Sequence, residues 1–142
     1  MAFHLSIFVQ NKPGQLEKIT KILADNQINL KAFSVASAGD FGVVKVVVND
    51  IEKAYQLLKQ ENITASKRKI LIAQVPDQPG GLHNLLTLLS ANQVNIEDCY
   101  GFVIESRREA AIVVEVEKYP IAEEILRSKG VTILSDQDLN LM

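Results

Sequence analysis

The sequence predicts an α+β fold made of two β-α-β-β-α-β units in tandem. Two motifs predict it by recurring at one offset, and the hydrophobic pattern around them predicts it by switching between strand and helix periods in the same order in each half. The motifs are Asn11-Lys12-Pro13-Gly14-Gln15-Leu16 against Asp77-Gln78-Pro79-Gly80-Gly81-Leu82, and Asn26-Gln27-Ile28-Asn29-Leu30 against Asn92-Gln93-Val94-Asn95-Ile96. Both pairs stand 66 residues apart, as Pro13 to Pro79 shows. Shared punctuation at both ends of a helix-length segment sets its start, length and exit together, which chance seldom does.

Each element follows in order. Leu5 to Val9 and Ile70 to Val75 are short runs rich in β-formers and read as first strands. After Pro-Gly, Leu16, Ile19, Ile22 and Leu23 recur at helical spacing, as do Leu82, Leu85, Leu86 and Leu89, so each helix lays one apolar stripe on a sheet. The helices are expected to end near Asn26 and Asn92, where a left-handed residue is tolerable. Phe33 and Val35 carry a second strand. Turns over Ser37 to Asp40 and over Glu105 to Arg108 return the chain into third strands at Val43 to Val48 and Ala110 to Val116.

Second helices are marked by Ile51, Ala54, Leu57 and Leu58, and by Ile121, Ala122, Ile125 and Leu126, with Pro120 acceptable in the first turn. Closing strands are expected around Asn62-Ile63-Thr64 and Gly130-Val131-Thr132, which lie 68 residues apart. The two-residue indel is expected between the third strand and the second helix. This order is the ferredoxin-like split βαβ arrangement with both helices on one sheet face, and the expected domains are residues 1–68 and 69–142. A core of about 65 residues per unit is marginal, so a partner sheet is expected, the second copy being the obvious candidate and a homodimer the expected assembly.

Composition excludes several classes. The chain is 47% hydrophobic and 23% charged, with no apolar run long enough to span a bilayer and no signal-like start, so a cytoplasmic protein without membrane contact is expected. The net charge of −2 gives no general attraction to phosphate backbones, and Lys67-Arg68-Lys69 and Arg107-Arg108 lack interleaved aromatics, so no nucleic acid is expected as partner. Residues 1–68 hold 9 Lys+Arg against 6 Asp+Glu, and residues 69–142 hold 6 against 11, giving +3 and −5. Opposite signs favour the halves meeting each other or another chain, with drift after duplication an equal alternative.

The chemistry-bearing position is the junction between first strand and first helix. Pro-Gly there leaves backbone N–H groups at a helix start pointing into open space, which suits a carboxylate. Gly14 and the pair Gly80-Gly81 remove side chains that would block close approach, while Asn11 and Asp77 can cap the helix or meet a ligand ammonium group. A capped turn without any ligand is the alternative, and physics alone favours it.

His83 stands close enough to Gly80-Gly81 to touch a ligand, although a solvent-facing histidine is commoner. His4, His83 and Cys99 make no metal-binding spacing, so neither metal nor cofactor is expected. Cys99 reads as a small buried thiol that cannot form an internal disulfide, and Glu115 with Glu117 reads as a solvated strand face. No catalytic constellation emerges, so no enzyme is expected.

On the two repeated motifs, each in its place in the strand-helix order, the whole chain resembles a pair of ACT domains, the small amino-acid-binding regulatory modules of amino-acid metabolism. The resemblance implies side-by-side pairing of two four-stranded sheets into one eight-stranded sheet, with ligand at the seam. It implies that Asn11, Pro13, Gly14, Gln15 and Leu16, and Asp77, Pro79, Gly80, Gly81 and Leu82, grip a free amino acid, with Asn29, Leu30, Asn95 and Ile96 across the seam. It further implies a non-catalytic regulator acting on a separate metabolic enzyme, since no catalytic domain accompanies the modules. Gln15 and Lys12 stand where the second copy has Gly81 and Gln78, so the pockets differ and the second loop is favoured. A protein–protein assembly module without a ligand is the other function expected of such a chain.

Overall fold

The computed structural model describes residues 1–104 and 108–141. It divides into two compact units, a first of Phe3–Arg68 and a second of Met1–Ala2 with the residues from Lys69 onward.

The first unit runs β1 (Ala2–Gln10), α1 (Gln15–Asp25), β2 (Leu30–Ala38), β3 (Phe41–Val48), α2 (Ile51–Gln60) and the start of β4 (Ala65–Pro76). β3 lies between β2 and β1, antiparallel to both, with Ile7 opposite Val44 and Phe33 opposite Val46. On the other side of β1, Phe8 N–H donates to the Thr64 carbonyl at 2.9 Å. Alternation along β1 and β3 sends Leu5, Ile7, Val44 and Val46 to one face, and the helical stripes bring Ile19, Leu23, Ala54 and Leu58 onto it, forming one apolar core.

The second unit repeats the plan with α3 (Gly81–Ala91), β5 (Ile96–Ile104), β6 (Glu109–Val116), α4 (Tyr119–Ser128) and β7 (Thr132–Leu134). β6 lies between β5 and β4, and β7 pairs with β4. Leu71, Ala73, Val75, Leu85, Leu89, Ile112, Val114, Ala122 and Leu126 make its core. β2 and β5 even share an irregularity at equivalent places, between Leu30 and Ala32 and between Ile96 and Asp98.

Several expectations need correction. The described residues form seven strands and not eight, because the first unit's closing strand and the second unit's opening strand are one, β4. Ala65 to Lys69 contains neither Gly nor Pro, so nothing breaks the extended chain there. The left-handed residues after α1 and α3 are Gln27 and Gln93, at φ 60° and 59°, one position beyond Asn26 and Asn92. Those asparagines instead donate Nδ2–H to the Ile22 and Leu88 carbonyls at 2.8 Å, satisfying acceptors the helix end leaves open.

The indel also moves. β3 and β6 are already 68 residues apart whereas β2 and β5 are 66 apart, so the two extra residues lie in the chain between Ile104 and Glu109. Of the turn expected over Glu105 to Arg108, only Arg108 is among the described residues. Glu115 is buried, not solvated, since the face it shares with Ala111 and Val113 is covered as fully as the opposite one. A fifth helix, α5 (Asp136–Asn140), was not expected. Ser135 and Asp138 close a reciprocal capping box at its start, and Leu139 is buried.

α2 is opened by Asp50, whose carboxylate accepts from Lys53 N–H at 3.1 Å. Asp50→Ala is expected to cost about 1 kcal/mol, read as a lower urea midpoint at unchanged m.

Candidate functional site

Both strand-helix junctions are built alike. Gln10 and Pro76 carbonyls accept from Lys12 and Gln78 N–H at 3.0 and 2.9 Å, turning the chain sharply off the strand. Gly14 and Gly80 follow with φ of 89° and 91°, a conformation that costs a residue with Cβ roughly 1–2 kcal/mol. Nothing lies within 4 Å of where a Cβ on either glycine would sit, so the space beside them is open. Each glycine is the helix N-cap, with no side chain capping the helix in either unit. The first-turn N–H groups of Leu16 and Glu17, and of Leu82 and His83, are therefore not taken by a capping side chain and can receive a carboxylate.

The expected capping by Asn11 and Asp77 does not occur. Asn11 Nδ2–H donates to the Gly39 carbonyl at 3.0 Å and its N–H to Asp40 at 2.8 Å, so it ties the loop to the β2–β3 turn and leaves Oδ1 for a ligand. Asp77 N–H takes the Arg108 carbonyl in the same way, at 3.2 Å. Gly81 is not an opening for a ligand either. A Cβ there would stand 2.3 Å from the Pro76 carbonyl oxygen, so this glycine lets the helix pack on its own strand.

Pro13, Pro79, Leu16, Leu82 and His83 are exposed and Gln15 is half-buried. Asn29 is tied to Asn49, which accepts its N–H at 3.0 Å and returns its own N–H to the Asn29 carbonyl at 3.2 Å. Leu30 does join Leu16, in an apolar groove completed by Ile19, Leu23 and Phe33. Asn95 is exposed, and Ile96 packs against the second core.

The loops differ electrostatically. Glu17 places a carboxylate in the first turn of α1, whereas α3 has no acid there and carries His83 at the equivalent position. An incoming carboxylate is repelled at the first and welcomed at the second. Sequence inspection alone passed over Glu17, although its alignment with His83 at the repeat offset was the available signal.

Cys99 proves exposed, on the face of β5 that pairs with Val114, and not buried as expected. Partial burial of the sulfur, then the Asp98 carboxylate, raise its thiol pKa, which lowers the nucleophilic thiolate fraction. Among the described residues no three His, Cys, Asp or Glu side chains are grouped to hold a metal ion, and no helix is long and apolar enough to cross a membrane.

In overall structure the chain is similar to protein BT0572 from Bacteroides thetaiotaomicron, with TM-score 0.92 and 35% identity over 99% of this chain and 96% of that one. It is similar in fold to the ligand-free regulatory subunit of aspartate kinase from Thermus thermophilus, with TM-score 0.67 and 14% identity over 89% and 91% of the two chains. The regulatory subunit of aspartate kinase from Thermus flavus is similar at TM-score 0.62 and 16% identity, over 89% and 90%. No curated protein matches the chain. The family model of the ACT domain pair matches residues 1–142, and with the two βαββαβ units and their glycine-capped helices this establishes that the chain belongs to the ACT domain family, as a pair of such domains.

Proposed function

We propose that this ACT domain pair is a non-catalytic regulatory protein of the cytoplasm that binds a free amino acid and acts on a separate enzyme of amino-acid metabolism. The domains proposed are residues 1–68 and 69–142. The observation that carries the ligand is the start of α3, where Gly80 is open on its Cβ side, no side chain caps the helix and no acid stands in the first turn. The ligand's carboxylate takes the Leu82 and His83 N–H groups, and the Asp77 carboxylate takes its ammonium. That regulatory subunits of aspartate kinase share the fold supports the regulatory half of the reading.

Calorimetric titration with the twenty amino acids tests it. One is expected to bind, and at a hundred times its Kd to stabilise the protein by about 2.7 kcal/mol. Gly80→Asp sets a like charge where the ligand carboxylate goes and is expected to abolish that heat while leaving the circular dichroism unchanged. Silence from all twenty sinks the proposal.

A second reading is an assembly module without a ligand, and the apolar side of β2 favours it. Phe33 and Val35 are 59% and 50% exposed there, beside the groove that Leu16 and Leu30 line. A second copy of the chain covering this side would make a homodimer. Sedimentation equilibrium decides, a monomer at every concentration excluding it.

A further inference from the structure

The first unit holds a crevice of about 230 Å³ beside its Pro-Gly loop, bordered by the end of β1, the first turns of α1 and the chain between α2 and β4. Its polar lining is Gln10, Gln15, Lys18, Glu61, Asn62 and Thr64. Lys18 is the one cation and Glu61 the one carboxylate among the lining residues, and the rest offer amides and a hydroxyl. None of these six side chains makes a hydrogen bond or ion pair with another described residue.

The internal repeat supplies an independent observation. At the matching positions of the second unit Gln10, Gln15 and Lys18 are replaced by Pro76, Gly81 and Asn84, and Glu61 and Asn62 by Lys129 and Gly130. Only the threonine, Thr64 against Thr132, is kept. Proline and glycine have no side-chain donors, so the second unit lacks most of the groups that converge in the first.

We propose that this crevice is a second small-molecule site, selective for a zwitterion of amino-acid size. A volume of about 230 Å³ lies just under the usual range for drug-sized ligands, which suits one small metabolite and not a peptide. Lys18 binds the ligand's carboxylate with help from the Gln15 amide. Glu61 takes the ammonium, because the Leu57, Leu58 and Lys59 carbonyls at the end of α2 already accept from Glu61, Asn62 and Ile63 N–H. A single cation and a single anion across one crevice match a dipolar ion and leave one charge unpaired for a simple acid or a simple amine. The inference takes its ligand class from the amino-acid reading above but not its place.

The test is amide chemical-shift mapping on isotopically labelled full-length protein, with the twenty L-amino acids titrated singly. At least one is expected to shift the Gln15, Asn62, Ile63 and Thr64 amides. Lys18→Gln is expected to weaken that response about tenfold, the loss of one charge-assisted contact, and to leave shifts at Gly80 and Gly81 unchanged. Glu61→Gln, on a side chain that is exposed like that of Lys18, is expected to weaken it too. Shifts confined to the Gly80-Gly81 loop, or a crevice response indifferent to both substitutions, overturn the second site and leave the earlier reading standing. No shift at either place overturns both.

Discussion

Leu58→Ala and Leu126→Ala are each expected to destabilise the protein by about 2–5 kcal/mol, the cost of emptying a well-packed core position. The two leucines occupy equivalent positions on α2 and α4, both are 0% exposed, and each sits in its own unit's core. Truncation removes the transfer free energy of the lost atoms and leaves a cavity walled by strand side chains that cannot collapse freely. Urea unfolding followed by circular dichroism measures the loss. Leu57→Ala is the control, since Leu57 is only partly buried against the same core and should cost clearly less. Equal losses at positions 57 and 58 would contradict the assigned helix face.

Gly81→Ala is expected to cost about 3 kcal/mol, the upper part of the range for forcing an atom into filled space. The added Cβ would meet the Pro76 carbonyl oxygen at 2.3 Å, and that oxygen belongs to the backbone, so no flexible side chain can yield. Gly14→Ala separates clash from conformational strain. Gly14 has φ 89° and nothing within 4 Å of its Cβ position, so only the left-handed penalty of roughly 1–2 kcal/mol applies. The difference in urea midpoints at constant m is the measurement. If the two variants lose the same stability, the close approach of α3 to its strand is not what Gly81 serves.

The repeat was legible because Pro-Gly, Asn-Gln and the apolar periods act locally, through backbone conformation and one buried face. Every helix except α5 starts and stops within a few residues of where these signals set it. α5 was hidden because five residues carry no period, and only the Ser135–Asp138 capping box announces it.

The candidate site was legible in part. Pro-Gly at a helix start marks uncapped N–H groups wherever it occurs, so the loops at Gly14 and Gly80 could be named without coordinates. Their inner workings could not. Asn11 looks like a cap but binds the Gly39 carbonyl, 28 residues away, and Gly81 looks like an opening for a ligand but fits against Pro76. Cys99 and Glu115 were misjudged for a related reason. Alternation tells which residues share a strand face, but not how much of that face the folded chain covers.

The two βαββαβ units, their apolar cores and the uncapped starts of α1 and α3 follow from the amino-acid order alone. These depend on propensity and periodicity, which act between near neighbours. Folding was needed to show that one strand serves as both an ending and a beginning, and that Gln10, Gln15 and Lys18 converge with Glu61 and Asn62. Such convergence joins residues more than forty positions apart. It follows from how α1 and the end of α2 pack on β1, which no local pattern encodes.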